Sequence, residues 1–368
     1  MSEGALLVLE DGSVFRGEPF GARVDAEAEV VFNTCMTGYQ EISTDPSYRG
    51  QMVCMTYPLI GNYGVVGEDD ESRRPWISAL IVREPISLYS NWRAVEDLDH
   101  WLDRAGVPGL GGVDTRALTR RLRVRGALRG VLAQGKGEAD LPDLFERARR
   151  VRPLGELDLV SETSVRERYR LPVEGSAPGR RVVVLDCGIK QNILRSLGRR
   201  GLETVVVPHA STSGEILALR PDGVLIGNGP GDPAARPDLA ATVRGLIETD
   251  LPVLGICFGH QLIGLAAGGT TSRLPFGHHG GNHPVKDLRE GHIHITSQNH
   301  EFQVDAGSLP RDSGLVVSQV NLNDRSVEGL RHLSKPIFSV QYHPEGAPGP
   351  QDNQYVFDAF VDLIGGRR

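Results

Sequence analysis

Pro252-Val253-Leu254-Gly255-Ile256-Cys257-Phe258-Gly259-His260-Gln261 is an apolar run that meets Gly-x-Cys-x-Gly and then passes into a helical pattern. That is the spacing of a nucleophile elbow with Cys in the place of Ser. A nucleophile on a tight strand-to-helix turn is lifted clear of its sheet. The turn crowds the backbone, so the residues two before and two after, Gly255 and Gly259, must be small. The sulfur would then lie at a helix N-terminus, whose partial positive charge favours an anion. The N–H of Phe258 would point to where an oxyanion forms. A Cys at the end of a core strand reads as well as a buried small residue, since free Cys is among the most buried residue types.

A second stretch, Gln341-Tyr342-His343-Pro344-Glu345, ends another apolar run, Pro336-Ile337-Phe338-Ser339-Val340. In extended chain, residues i and i+2 share a face, about 7 Å apart. His343 can therefore face the sulfur while Glu345 lies beside or behind the ring, which supplies nucleophile, base and orienter. A third, Gly227-Asn228-Gly229-Pro230-Gly231-Asp232-Pro233, follows the strand-like Gly223-Val224-Leu225-Ile226. Its N–H groups could supply a second oxyanion donor, although alone it is an ordinary turn.

Outward from the elbow, the chain from Arg180 alternates short apolar runs with helical patterns. Strands are expected at 181–186, 204–207, 223–226 and 252–256, and helices at 190–200, 213–219, 239–248 and 259–267. Continuous apolar strands separated by helices mean a parallel sheet covered on both faces. Ligands of such sheets bind beyond the carboxyl ends of the strands, where Cys187, Asn228 and Cys257 fall; Cys187, without a glycine frame, reads as a buried small residue. After Gly268-Gly269 the pattern turns to strands at 292–296, 315–319, 326–330 and 336–340, then a closing helix at 352–364. The fold class expected is α/β, with an N-terminal mixed β/α domain and a C-terminal open, mostly parallel sheet flanked by helices and carrying an antiparallel extension. Residues 1–150 form the first domain, 151–179 a connector whose boundary lies in Leu171-Pro172-Val173-Glu174-Gly175-Ser176-Ala177-Pro178-Gly179, and 180–368 the second domain.

In the first domain, Ala5-Leu6-Leu7-Val8-Leu9 and Val14-Phe15-Arg16-Gly17 flank Asp11-Gly12 as a hairpin. Met36-Thr37-Gly38-Tyr39-Gln40-Glu41-Ile42-Ser43-Thr44-Asp45-Pro46-Ser47-Tyr48 reads as a loop between strands. Helices are expected at 98–105, 115–125 and 141–150. The second carries Arg116, Arg120, Arg121, Arg123 and Arg125, either a solvated face or a docking face for an acidic partner.

The composition sets limits. The chain has 368 residues, 39% hydrophobic and 24% charged, enough for two ordinary domains with sizeable cores. A net charge of −7 argues against nucleic acid or an anionic membrane as the main partner. Met1-Ser2-Glu3-Gly4 has no basic n-region, no apolar run reaches membrane-spanning length, and the four cysteines form no Cys-x-x-Cys pair, so a cytoplasmic location is expected. Phe276-Gly277-His278-His279-Gly280-Gly281-Asn282-His283-Pro284 has three histidines but no acidic or thiolate companion to close a metal site, and no metal is expected. There is no Gly-x-x-x-x-Gly-Lys-Ser/Thr phosphate loop.

Gly-Ile-Cys-Phe-Gly-His-Gln, Asn-Gly-Pro-Gly-Asp-Pro and His-Pro-Glu together, each at a strand end, resemble a class I (triad) glutamine amidotransferase domain. Phe32-Asn33-Thr34-x-Met36-Thr37-Gly38-Tyr39-Gln40-Glu41-Ile42-x-Thr44-Asp45-Pro46-Ser47-Tyr48 and Gly112-Val113-Asp114-Thr115-Arg116-Ala117-Leu118-Thr119 resemble the signature of carbamoyl phosphate synthetase small subunits, so the resemblance covers nearly the whole chain. It implies a glutaminase with Cys257, His343 and Glu345 as triad. It implies that Ser47, Gly229, Gly231, Phe258, Gln261, Asn299, Glu301 and Phe302 bind L-glutamine or its oxyanion, and that 276–284 is a loop facing the partner. Many members have Gly at the place of Glu301, which is tolerable if Glu301 acts through its backbone and its φ is not strongly positive. The implied partner is a separate large subunit that uses ATP, Mg and bicarbonate to make carbamoyl phosphate for arginine and pyrimidine synthesis; no cofactor is expected on this chain. The rival readings are an amidotransferase serving another synthase, and a catalytically silent regulatory subunit.

Overall fold

The computed structural model describes residues 4–173 and 179–366. The centre of the expected linker and the first three residues lie outside them. Two compact units form: one runs to Leu157 and adds Pro275–Gly280, and the other runs from Asp158 to Leu274 and resumes at Gly281.

The first unit is built on a closed barrel. Its strands lie in the order Ala5–Leu9, Val14–Gly21, Pro108–Gly111, Ala79–Ile81, Gln51–Met55, Ala26–Asn33 and Leu128–Gln134, the last pairing with the first. The opening hairpin pairs Leu7 with Phe15 and turns at Gly12, whose φ of 92° suits glycine. Alternation splits Ala5–Leu9 between two cores. Leu7 and Leu9 pack with Val30 and Met52, while Leu6 and Val8 pack with Leu144 and Ala148 of the helix Leu141–Arg150. The helices expected at 98–105, 115–125 and 141–150 are present with those bounds.

Two stretches read as loops are regular structure. Within 36–48, Tyr39–Thr44 is a helix and Pro46–Tyr48 a 3-10 turn. The segment is polar because its side chains replace backbone partners inside the unit. Gln40 donates to Val66 O at 2.6 Å and accepts from Val66 N at 2.8 Å, and Tyr39 OH donates to Gly64 O at 2.6 Å. Residues 276–284, implied to be a loop, lie within the seventeen-residue strand Thr271–Asp287. Its middle belongs to the first unit: His279 O accepts from Thr34 N at 3.2 Å, and the Phe276 ring stacks on Phe32 at 6.2 Å.

The second unit is a ten-stranded sheet. In spatial order its strands are Tyr169–Leu171, Glu203–Pro208, Arg181–Asp186, Gly223–Ile226, Val253–Ile256, Ile337–Val340, Val327–His332, Leu315–Asn321, Thr271–Asp287 and Ile293–Val304. The five from Glu203–Pro208 to Ile337–Val340 run parallel, and from Ile337–Val340 to Thr271–Asp287 the pairing is antiparallel. This is the open, mostly parallel sheet with an antiparallel extension that the apolar pattern implies. Both faces are covered. Val183, Ile226 and Val253 pack toward Val243 and Leu262, and Val184, Leu225 and Leu254 toward Ile193 and Phe360.

The expected connector is not featureless. It holds the helix Val160–Thr163 and the strand Tyr169–Leu171, which pairs antiparallel with Glu203–Pro208. Tyr169 and Leu171 pack against the core, so this stretch belongs to the sheet it precedes.

Candidate active site

The strand Val253–Ile256 delivers Cys257 to the carboxyl edge of the sheet, and the helix Phe258–Ala266 leaves from it. Cys257 has φ 54° and ψ −103°, a sparsely populated conformation for a residue with a side chain. The frame around it leaves no room for larger residues. A Cβ on Gly259 would stand 2.2 Å from Ile226 O, and one on Gly255 2.7 Å from Gly259 O. Three backbone contacts hold the turn: Cys257 N donates to Val340 O at 2.9 Å, Gln261 N donates to Cys257 O at 3.2 Å, and Sγ lies 3.5 Å from Asn299 O.

His343 and Glu345 follow the strand Ile337–Val340 as an extended segment. His343 N donates to Ser297 O at 2.9 Å, which fixes the base against the strand Ile293–Val304. Nδ1 of His343 lies 2.6 Å from Glu345 Oε1, so Nδ1 carries a proton, and among the described residues Nε2 has no hydrogen-bond partner. Both side chains are fully buried. Burial opposes a charged imidazole, but the Glu345 carboxylate and, after it, Cys257 outweigh it and raise the His343 pKa to about 10. Burial likewise opposes a charged Glu345, yet Lys190 and His343 lower its pKa to about 2.

Lys190 escaped the sequence reading. It is 1% exposed, and Nζ donates to Glu345 Oε1 at 2.8 Å and to Ala347 O. Asn192 adds a donor to Glu345 O at 2.7 Å. The available signal was position: Lys190 stands just past the carboxyl end of Arg181–Asp186, at the edge that carries the other site residues.

The remaining site residues within this unit fall on the same side of the sheet. Gly229 and Gly231 are in the turn after Gly223–Ile226, with Gly229 so close that a Cβ would meet Cys187 O at 2.5 Å. Cys187 is buried, as expected, with its thiol pKa pushed up by burial. Phe258 opens the helix, and its ring is buried. Gln261 is occupied in bracing: Nε2 donates to Phe302 O at 2.7 Å and to Gln341 Oε1 at 3.1 Å. Asn299, Glu301 and Phe302 are buried along one strand. Glu301 lies 3.5 Å from Arg273 and is not among the described non-glycine residues with positive φ, which meets the condition for a backbone role. His260, the neighbour of Gln261 in the cysteine motif, is neutral, with a pKa lowered by burial to about 3, and contacts Ser339 Oγ at 2.9 Å. Ser47 belongs to the first unit, in the 3-10 turn capped by Asp45, whose Oδ1 accepts from Ser47 N at 2.9 Å.

Residues 7–132 match the family model described as carbamoyl-phosphate synthase small chain, CPSase domain, and residues 183–363 match glutamine amidotransferase class-I. Carbamoyl phosphate synthase small chains from Symbiobacterium thermophilum and Chlorobaculum tepidum are 51% and 50% identical to this chain. The first alignment covers 97% of each chain, and the second 98% of this chain and 97% of its relative. The small chain from Aquifex aeolicus is 47% identical over the full length of both. No described helix is long and apolar enough to cross a membrane. With a specific domain ahead of an amidotransferase domain, and full-length relatives at about half identity, the chain belongs to the carbamoyl phosphate synthase small chain family.

Proposed function

We propose that the chain hydrolyses the side-chain amide of L-glutamine through a thioester on Cys257 and hands the ammonia to a separate carbamoyl phosphate synthetase large subunit. The Cys257 sulfur bonds to the amide carbon, and the thiol proton resides on His343. Collapse of the tetrahedral species breaks the carbon–nitrogen bond, and His343 returns the proton to the departing ammonia. Water then attacks the thioester, releasing glutamate and restoring the thiol. The oxyanion is held by the N–H groups of Phe258 and Gly229, each such donor contributing about 3–4 kcal/mol. Gly231, Gln261, Asn299, Glu301 and Phe302 bind the glutamine.

The observation that carries this reading is a fully buried His343 with Nδ1 on Glu345 and Nε2 unpartnered, beside a cysteine on an elbow. The large subunit would supply the ATP and Mg sites and combine ammonia with bicarbonate, in the cytoplasm, for arginine and pyrimidine synthesis. The test is glutamine hydrolysis by the purified chain, alone and mixed with that subunit. Stimulation on mixing with carbamoyl phosphate formed, and its loss in Cys257→Ser, is the expected outcome. Hydrolysis without stimulation would point to another synthase, and no hydrolysis under either condition to a silent regulatory subunit.

A further inference from the structure

The strand Ile293–Val304 touches both reacting groups, and it does so with backbone carbonyls. Ser297 O takes the N–H of His343, and Asn299 O lies against Cys257 Sγ. The side chain between them, Gln298, turns to the other face of the strand. There it meets a carboxylate: Gln298 Nε2 donates to Glu328 Oε2 at 2.9 Å and contacts Thr296 Oγ1 at 3.0 Å. The other carboxylate oxygen accepts from Asn321 Nδ2 at 2.8 Å, and the backbone oxygen of Glu328 accepts from Gln341 N at 2.8 Å, two residues before His343. Glu328 is 0% exposed. One residue therefore ties together the strand that abuts the nucleophile, the segment that delivers the base, and the neighbouring strand Leu315–Asn321.

The chemistry of that tie is specific. A buried carboxylate is costly unless donors converge on it, and an apolar side chain would fill the same place at lower cost. Amide donors from two different strands do converge here. With Gln298 Nε2 committed to Glu328, Gln298 Oε1 is left to meet His300 Nε2 at 3.0 Å, and His300 Nδ1 meets Phe302 O at 2.8 Å. The chain of contacts from Glu328 thus runs through the side chains of Gln298 and His300 to the backbone oxygen of Phe302, while the carbonyls of Ser297 and Asn299 meet His343 and Cys257.

We propose that Glu328 is a positioning residue for glutamine. It touches neither substrate nor reacting atoms; it sets the register and tilt of 297–302 against Cys257 and His343. The inference rests on the amidotransferase reading of this site and deepens it.

The experiment is steady-state glutamine hydrolysis by the full chain, with thermal unfolding run in parallel. Glu328→Leu removes both acceptors. It should raise the KM for glutamine roughly ten- to a hundredfold through misplacement of the strand, with kcat held within about threefold. Glu328→Gln keeps one acceptor, which its amide can turn toward Gln298 Nε2, and should restore most of the loss in KM. An unchanged KM in Glu328→Leu, a fall in kcat alone that follows the unfolded fraction, or no rescue by Gln would overturn the proposal. Should Glu328→Leu not fold, Gln298→Leu cuts the same link from the strand side; the same rise in KM supports the proposal and an unchanged KM overturns it. Wild type and Cys257→Ser are assayed alongside. Hydrolysis that does not depend on Cys257 would remove the amidotransferase reading and this inference together, whereas Cys257-dependent hydrolysis with a normal KM in both variants removes this inference alone.

Discussion

Gly259 has a carbonyl where a methyl group would go, so Gly259→Ala cannot be accommodated by a side-chain rotation. Ile226 O is backbone, and a Cβ at 2.2 Å forces strand and helix apart. Overpacking of this kind costs about 1–3 kcal/mol, and here it also displaces the sulfur. The expected result is a lowered unfolding temperature with glutaminase activity lost, while Gly245→Ala, whose Cβ would meet only the Ser213 side chain, should spare activity. The His343–Glu345 pair makes a second expectation at this scale. The His343 pKa is raised from its ordinary 6.5 to about 10, so the charge it carries stabilises the fold fully below 6.5 and is lost as pH rises through about 10. Glu345, lowered from 4.5 to about 2, contributes above 4.5 and loses its effect as pH falls through about 2. In the proposed mechanism the imidazolium donates the proton to ammonia, so kcat for glutamine hydrolysis should fall on an alkaline limb near pH 10. Glu345→Gln removes the main raising charge and should move that limb toward neutral pH; a limb that stays put would show that Glu345 does not hold the proton. That Cys257, His343 and Glu345 come together could be read from Gly-x-Cys-x-Gly and His-x-Glu because both spacings are local. Lys190 could not, since a lysine's burial against a carboxylate more than a hundred residues away depends on the sheet order, which no local spacing encodes.

Among the elements, those of the parallel layer were the most legible. Arg181–Asp186, Gly223–Ile226 and Val253–Ile256 are buried on both faces, and their apolar runs have no competing explanation. The helix Ser213–Ala218 is marked by its start: Thr212 Oγ1 accepts from Glu215 N at 3.3 Å, and Glu215 Oε2 accepts from Thr212 N at 2.8 Å. Replacing Thr212 by Ala should cost about 1 kcal/mol in chemical denaturation and leave glutamine hydrolysis unchanged, since Ser213–Ala218 carries none of the proposed site residues. What escaped was structure made from polar residues. Tyr39–Thr44 looks like a loop because Gln40 and Tyr39 spend their polar groups on Val66 and Gly64 instead of on water. Residues 276–284, inside the strand Thr271–Asp287, look like a loop because Gly277, Gly280 and three histidines break the alternation that marks a strand.

At the scale of the whole molecule, the family signature in 32–48 and the amidotransferase motifs in 227–345 pointed to two domains in one chain, and the family matches cover 7–132 and 183–363. The division of the folded chain is less simple. Linker composition can mark where backbone is free of contacts, but it carries no information about a strand whose middle serves one core and whose ends serve another. Pro275–Gly280 is that case.

That detour fixes an order of events. The barrel unit takes Phe276 onto Phe32 and His279 onto Thr34, so its packing is incomplete while the nascent chain on the ribosome ends anywhere before residue 280. An N-terminal fragment cut after Leu157 would emerge with that place on Phe32 bare, and should expose it to dyes or to self-association. The last contacts of the first unit thus come from residues translated after much of the second.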